Sequence, residues 1–331
     1  MSLTAQTRTA QRRKVDPARW FVAIGGLSVL AAVYLLVAWV GAGDAKPADP
    51  GPDPMPGHVA FFTQAIQIFG VLTMAATIGY VARRSVREKR LTFDGLILIA
   101  WTVIFWMDPA TMDYFRVQFL FNAHYVNFGS WAPHIPGWLA PHAQAPPEPL
   151  IAWGTLYGVS GVLGAIVCCR VMRMSRARWP RMGNVGLVGV GLAAAFVIDT
   201  VVEIGWIRTG IYIYPGAIRS LSLSPGTIYQ YPLYESLLFG ATWAATGALR
   251  FYKDDRGLTI VERDRTGAPL AAPKRILAAT GFLTVTYGLY CLAYSLTALW
   301  GDPWPAGLPS YFVNGLCGAQ MYQECPPPPV P

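Results

Sequence analysis

Asp199 and Glu203 are the residues whose type and spacing point most directly to chemistry. They stand four apart inside an apolar run, Val185 to Ile207, so on a helix both face one side, with Trp206 near the same face. At 1.5 Å of rise per residue, Asp199 lies roughly 10 Å below the outer end of that run and Glu203 about one turn nearer to it. A carboxylate inside a membrane span costs about 2.5–3.5 kcal/mol on insertion scales, so such residues face a bundle interior or a wet cavity. Two close carboxyls in a poorly solvated site do not ionise together, which leaves an acid beside a carboxylate. That arrangement can protonate a leaving oxygen and stabilise the cation that forms. A structural role stays open: pairing with Arg208 or Arg219, or hydrogen bonding to Tyr and Trp for packing.

Glu235 follows Pro232 by three residues. It is either a first-turn carboxylate serving backbone N–H groups and the helix dipole, or a third acid at the mouth of the same cavity. Glu148, just before Pro149, carries the same two readings. Asp108, before Pro109, is either a helix terminator or a functional acid, with Asp113 on the same side. The histidines His58, His124, His134 and His142 match no zinc spacing, and their surroundings form no facial triad. The glycines Gly183, Gly186, Gly189 and Gly191 follow no strand, so they read as helix-packing residues and not as a dinucleotide loop. No metal and no cofactor is expected.

Seven apolar runs must position these residues: Trp20–Gly41, Val59–Ala82, Leu91–Met107, Leu150–Met172, Val185–Ile207, Pro232–Leu249 and Ile276–Trp300. The segments on one side of them hold 22 of the 26 Lys and Arg, and the other side holds Lys46, Arg116, Arg208 and Arg219. That asymmetry predicts an all-α integral membrane protein, a bundle of about seven transmembrane helices with the N-terminus inside and the C-terminus outside. Long aromatic segments, Asp108–Pro149 and Arg208–Tyr231, fall on the outer side and are expected to cover it. Residues 1–19 are expected to be a disordered basic tail, 20–300 the catalytic bundle, and 301–331 an extended Pro-rich outer tail. Cys317 and Cys325 in that tail are either disulfide-bonded or free. The chain is 53% hydrophobic and 13% charged, with mean hydropathy +0.36, a balance foreign to soluble domains. Its net charge of +8 sits in short blocks flanking the apolar runs, which speaks against nucleic acid and for contacts to anionic membrane lipid. The expected location is a bacterial cytoplasmic membrane, the expected partner a lipophilic small molecule, and oligomeric state is open.

A set of short stretches, taken in order, resembles a known family. They include Asp108-Pro109, Asn122, Asn127-Phe128-Gly129-Ser130-Trp131, Pro136-Gly137-Trp138, Glu148-Pro149-Leu150 and Ala177-Arg178-Trp179-Pro180-Arg181. Asp199 and Glu203 follow, then Gly210, Tyr212, Tyr214, Gln230-Tyr231-Pro232-Leu233 with Glu235, and Asp254-Asp255-Arg256-Gly257. Between roughly Trp20 and Arg265 the chain resembles the AveC family of membrane spirocyclases. The resemblance implies closure of a polyketide-like dihydroxyketone into a spiroketal, accompanied in the avermectin-type member by dehydration. On that basis Asp199, Glu203 and Glu235 are expected to be catalytic. Asp108, Asn122, Trp131, Trp138, Glu148, Tyr212 and Tyr214 are expected to bind substrate. Competing readings are a cyclase of another lipophile such as a terpenoid, a lipid carrier, and a membrane scaffold.

Overall fold

The computed structural model describes residues 17–140 and 142–316. The chain is mostly helical, and its long apolar helices fit a membrane-embedded bundle. Among the described residues five helices are long and apolar enough to cross a membrane: α1 (Pro17–Gly41), α2 (Gly57–Glu88), α5 (Trp153–Arg178), α6 (Asn184–Arg208) and α8 (Ala272–Thr297), the last continued by a short turn to Trp300. Between them lie α3 (Phe93–Ile104), α4 (Asp108–Asp113) and α7 (Leu233–Phe251), and α9 (Ser310–Val313) is the last helix among the described residues.

α3 is the middle of the bundle. Thr92 starts it, its hydroxyl accepting from the Gly95 N–H at 3.3 Å. Leu96, Ile97, Ala100, Trp101 and Ile104 are all fully buried. Ile99, Thr102 and Val103 form its less buried face, and the apolar residues around Trp101 bury the rest of the helix in the bundle. It packs on α5 and α8. α1 lies along α8 at a close crossing, where Gly25 faces the Leu277 carbonyl and Gly281 faces the Phe21 carbonyl. A side chain at either glycine would meet backbone, so only glycine permits the approach.

The helix ends beside the basic blocks are fixed by charge. Asp94 is buried, and Arg250 of α7 reaches it at 2.9 Å, Arg84 of α2 at 3.3 Å and the Tyr80 hydroxyl at 3.0 Å. Arg275 pairs with Glu262 at 2.7 Å, both buried, and also donates to the Leu91 carbonyl. Such pairs hold because the partners repay the desolvation; removing one partner would leave a buried charge.

A cap covers the opposite end of the bundle. Strand β1 (Leu120–Phe121) pairs antiparallel with β2 (Tyr212–Ile213), Leu120 opposite Ile213 and Phe121 opposite Tyr212. Strands β3 (Ser222–Leu223) and β4 (Tyr231–Pro232) form a second short ladder. Side chains alternate across a strand. Leu120 and Ile213, opposite each other on the ladder, therefore point to one apolar cluster, which Val117, Trp304, Leu308, Tyr311, Phe312, Val313 and Leu316 complete. Residues 301–316 thus fold back onto the cap and are not extended as expected for an outer tail, because their apolar side chains find partners on β1 and β2. The Ser310 N–H donates to Asp53 at 2.7 Å and ties this segment to the α1–α2 loop. The basic tail before Pro17, Cys317, Cys325 and Pro326–Pro329 lie outside the described residues.

Candidate active site

α6 and α7 pack side by side, and their facing sides carry Asp199, Glu203 and Glu235 to one cavity of about 370 Å³. The i, i+4 spacing puts Asp199 and Glu203 on the same side of α6, as the sequence predicts. Glu235 sits in the first turn of α7. Its carboxylate is occupied by tyrosines: Oε1 accepts from the Tyr290 hydroxyl at 3.0 Å and Oε2 from the Tyr231 hydroxyl at 2.9 Å. Tyr231 stands four residues before Glu235 and hands its hydroxyl back across the start of the helix. The same hydroxyl lies 3.5 Å from Asp199 Oδ2 and bonds the Ser236 hydroxyl. Thr200 of α6 donates to Ser236 at 2.8 Å and locks the two helices at this level.

Glu203 is held from the cap. Its Oε2 accepts from the Tyr214 hydroxyl at 2.8 Å, and Tyr212 faces the same carboxyl. Tyr212 and Tyr214 are two apart, so β2 and the residue after it turn both rings inward while Ile213 goes out. Phe119 and Phe121 do the same on either side of Leu120. The result is an aromatic roof in which Phe121, Tyr212, Trp153 and Trp206 stand ring against ring. Burial pushes the Tyr212 and Tyr214 hydroxyls well above their ordinary range, and the Glu203 carboxyl adds to it, so both remain proton donors.

Arg208 and Arg219 go elsewhere. Arg208 reaches Ser224 at 3.4 Å and lies over the Tyr229 ring, and Arg219 donates to the Pro303 carbonyl at 2.8 Å. The acids are therefore satisfied by hydroxyls and not by these cations. Among the described residues no group of three or more His, Cys, Asp and Glu side chains is arranged to hold a metal ion.

Of the seven residues expected to bind substrate, Tyr212 and Tyr214 line the cavity. Asp108 and Glu148 lie beside it, with Asp113, in a small recess that shares the walls Phe119 and Phe121. Burial raises Asp108 to about 6 and Asp113 to about 8, and it raises Glu148 well above the usual range, with the charges of Asp108 and Asp113 adding to the last. Asp108 faces Tyr157, whose hydroxyl accepts from Tyr287 at 3.2 Å and whose ring is a wall of the main cavity. Asn122, Trp131 and Trp138 are not on that wall. Asn122 secures a turn through the His124 N–H and the Gly210 carbonyl. Trp131 donates to the Trp106 carbonyl at 2.8 Å and packs on Trp39 and Phe105. Trp138 stacks edgewise on Tyr114. Sequence reasoning missed Tyr231, Ser236 and Tyr290. The i, i+4 relation of Tyr231 to Glu235 was a usable signal, whereas nothing in the sequence joins Tyr290 of α8 to α7.

The family model described as "Spirocyclase AveC-like" matches residues 88–315, from the end of α2 to just beyond α9. No curated protein and no solved structure matches the chain.

Proposed function

The chain belongs to the AveC-like spirocyclase family, and on that premise we propose that it closes a lipophilic dihydroxyketone into a spiroketal by acid–base catalysis. The observation that carries this reading is the meeting of three carboxyls and their tyrosine partners at one wall of an otherwise apolar cavity. Closure needs a proton given to one oxygen and a proton taken from another, with a cation between the two events. One substrate hydroxyl adds to the ketone and forms a hemiketal. Asp199 protonates the hemiketal hydroxyl, the C–O bond breaks and water leaves. The oxocarbenium ion faces the carboxylate of Glu203, held in place by Tyr214. The second hydroxyl then attacks, and Glu235 accepts its proton. Tyr231, in contact with both Asp199 and Glu235, passes one proton to Asp199 while taking the one on Glu235. The net change is loss of one water, and the enzyme is returned to its starting state.

The aromatic roof contributes in two ways. Ring faces stabilise a nearby cation by about 0.5–2 kcal/mol. The walls also hold one rotamer of a flexible chain, so that attack comes from one face. Dehydration of an alcohol would draw on the same acid and base. In this reading the bundle crosses the membrane seven times, α3 and α7 included, with the N-terminus inside and the cap outside.

The test is comparative mass spectrometry of lipophilic metabolites from cells making the wild-type chain or the Asp199→Asn/Glu203→Gln double variant, matched for membrane expression. The expected result is a metabolite heavier by one water accumulating in the variant, or a single stereoisomer becoming a mixture. Identical profiles from cells with an active pathway would overturn the assignment.

A further inference from the structure

The cavity has an unusual boundary. On the inner side α5 and α6 touch, the Cys168 thiol lying 3.6 Å from the Gly191 carbonyl. On the outer side they touch again through the rings of Trp153 and Trp206, 4.9 Å apart. Between these two contacts the helices leave a gap, with Phe69 of α2 at its edge. Four of the residues lining the cavity are exposed: Phe69 (52%), Leu163 (53%), Ile198 (40%) and Val202 (37%). All four are apolar, and all lie on helices long enough to cross a membrane. The roof residues Phe119, Phe121, Trp153, Tyr212 and Tyr214 are buried, so the cap closes the cavity against the outer water. Leu163 is ten residues along α5 from Trp153, and Ile198 ten residues along α6 from Arg208. At 1.5 Å per residue each lies roughly 15 Å below the outer end, half the thickness of a hydrocarbon core of about 30 Å.

We infer that the site is loaded sideways, through a window between α2, α5 and α6 that opens to the hydrocarbon interior of the bilayer. Its ligand is an amphiphile whose oxygen-bearing end reaches Asp199, Glu203 and Glu235 while its hydrocarbon part lies in the window. This rests on the cyclase reading only for the chemistry at the acid end. The boundary supports it from both directions. A wet entrance would carry charged side chains or free hydroxyls at its rim; the exposed residues here are all apolar, and the half-buried Thr73 and Ser160 beside them turn their hydroxyls back onto the Phe69 and Tyr157 carbonyls of their own helices. A sealed packing cavity would have no exposed wall, and this one has four exposed residues in a row across three helices. Lateral entry also reconciles a cavity in the outer half of the bilayer with a substrate made in the cytoplasm, since a lipophile crosses between leaflets and needs no aqueous path.

The test uses the full chain reconstituted in phosphatidylcholine vesicles. The probe is a long-chain 1,2-diol bearing an alkyl diazirine, with a short, water-soluble diazirine diol for comparison. After irradiation the labelled residues are mapped by mass spectrometry. The expected result is labelling of Asp199, Glu203 or Glu235 by the long-chain diol and little by the short one. Labelling should fall about tenfold in Leu163→Trp and Val202→Trp, a steric loss of about 1.4 kcal/mol in binding. It should persist in Val201→Trp, whose side chain is exposed on α6 but does not line the cavity. Ile198→Phe provides a milder narrowing if the tryptophan variants do not fold. Equal labelling by the short diol, indifference to the window variants, or no labelling of the acids would each overturn the inference. Labelling needs no turnover, so its failure and the failure of the cyclase reading are read in separate experiments.

Discussion

Replacing Asp113 with Asn separates charge from geometry in the wall of the recess behind the cavity. Asp113 Oδ1 accepts from the backbone N–H of Gln118 at 2.8 Å and of Phe119 at 3.3 Å. An Asn side chain offers the same oxygen, so the turn leading to the roof residue Phe119 survives. What disappears is the titration. Burial raises the folded Asp113 to about 8, against about 4 for an unfolded aspartate. The folded state thus keeps a proton that the unfolded chain releases. The associated stability is fully present below about pH 4, declines as pH rises, and is gone once pH passes the folded value of about 8. Between those limits one proton separates the states, a slope of about 1.4 kcal/mol per pH unit. From about pH 5.5 to about pH 7.5 the wild type should lose up to about 3 kcal/mol more than Asp113→Asn. Asp108 and Glu148 titrate in both proteins, and because the charge of Asp113 raises Glu148, the difference reports Asp113 together with its effect on that neighbour. The assay is thermal unfolding of the detergent-solubilised proteins across that range. Parallel pH profiles for the two proteins would refute the electrostatic argument. A variant already destabilised at the acid end, where both side chains are neutral, would show that Asn does not reproduce the turn.

Two further outcomes follow from other contacts. Gly281→Leu forces a side chain against the Phe21 carbonyl and should part α1 from α8, at a cost of about 1–3 kcal/mol or more; size-exclusion chromatography in detergent should show loss of the single folded species, and an unchanged profile would mean that the crossing is looser than described. Tyr231→Phe keeps the ring but removes the hydroxyl between Asp199 and Glu235, so turnover of a dihydroxyketone should fall by about 10²–10⁴ in kcat with KM little changed. Unchanged kcat would remove Tyr231 from the proton path.

Much of this architecture was legible in the chain because membrane burial writes itself into composition. The apolar runs are helical, and the basic blocks sit where those runs end. The four-residue spacing of Asp199 and Glu203 fixed their common side before any neighbour was known, since helical periodicity is a local property. The rank of the helices was not legible. α3 reads as a short span, and its central position appears only when Leu96, Ile97, Ala100, Trp101 and Ile104 are found fully buried. The packing of residues 301–316 was not legible for a related reason: Trp304 and Tyr311–Val313 find their partners only once β1 and β2 offer an apolar surface.

The sequence by itself determined that the protein is helical, apolar and membrane-like, and which side of α6 carries its acids, because these follow from residue type and periodicity along one segment. Only the tertiary structure decided what those acids meet. Tyr214 reaches Glu203 from the cap, Tyr290 reaches Glu235 from α8, and Tyr231 joins Glu235 to Asp199. These partners are separated from the acids they serve by as few as 4 and as many as 55 positions in the chain. The spacing of 4 between Tyr231 and Glu235 is a local one, but no periodicity links Tyr214 or Tyr290 to acids 11 and 55 positions away. They are brought together by packing, which is a property of all the helices at once.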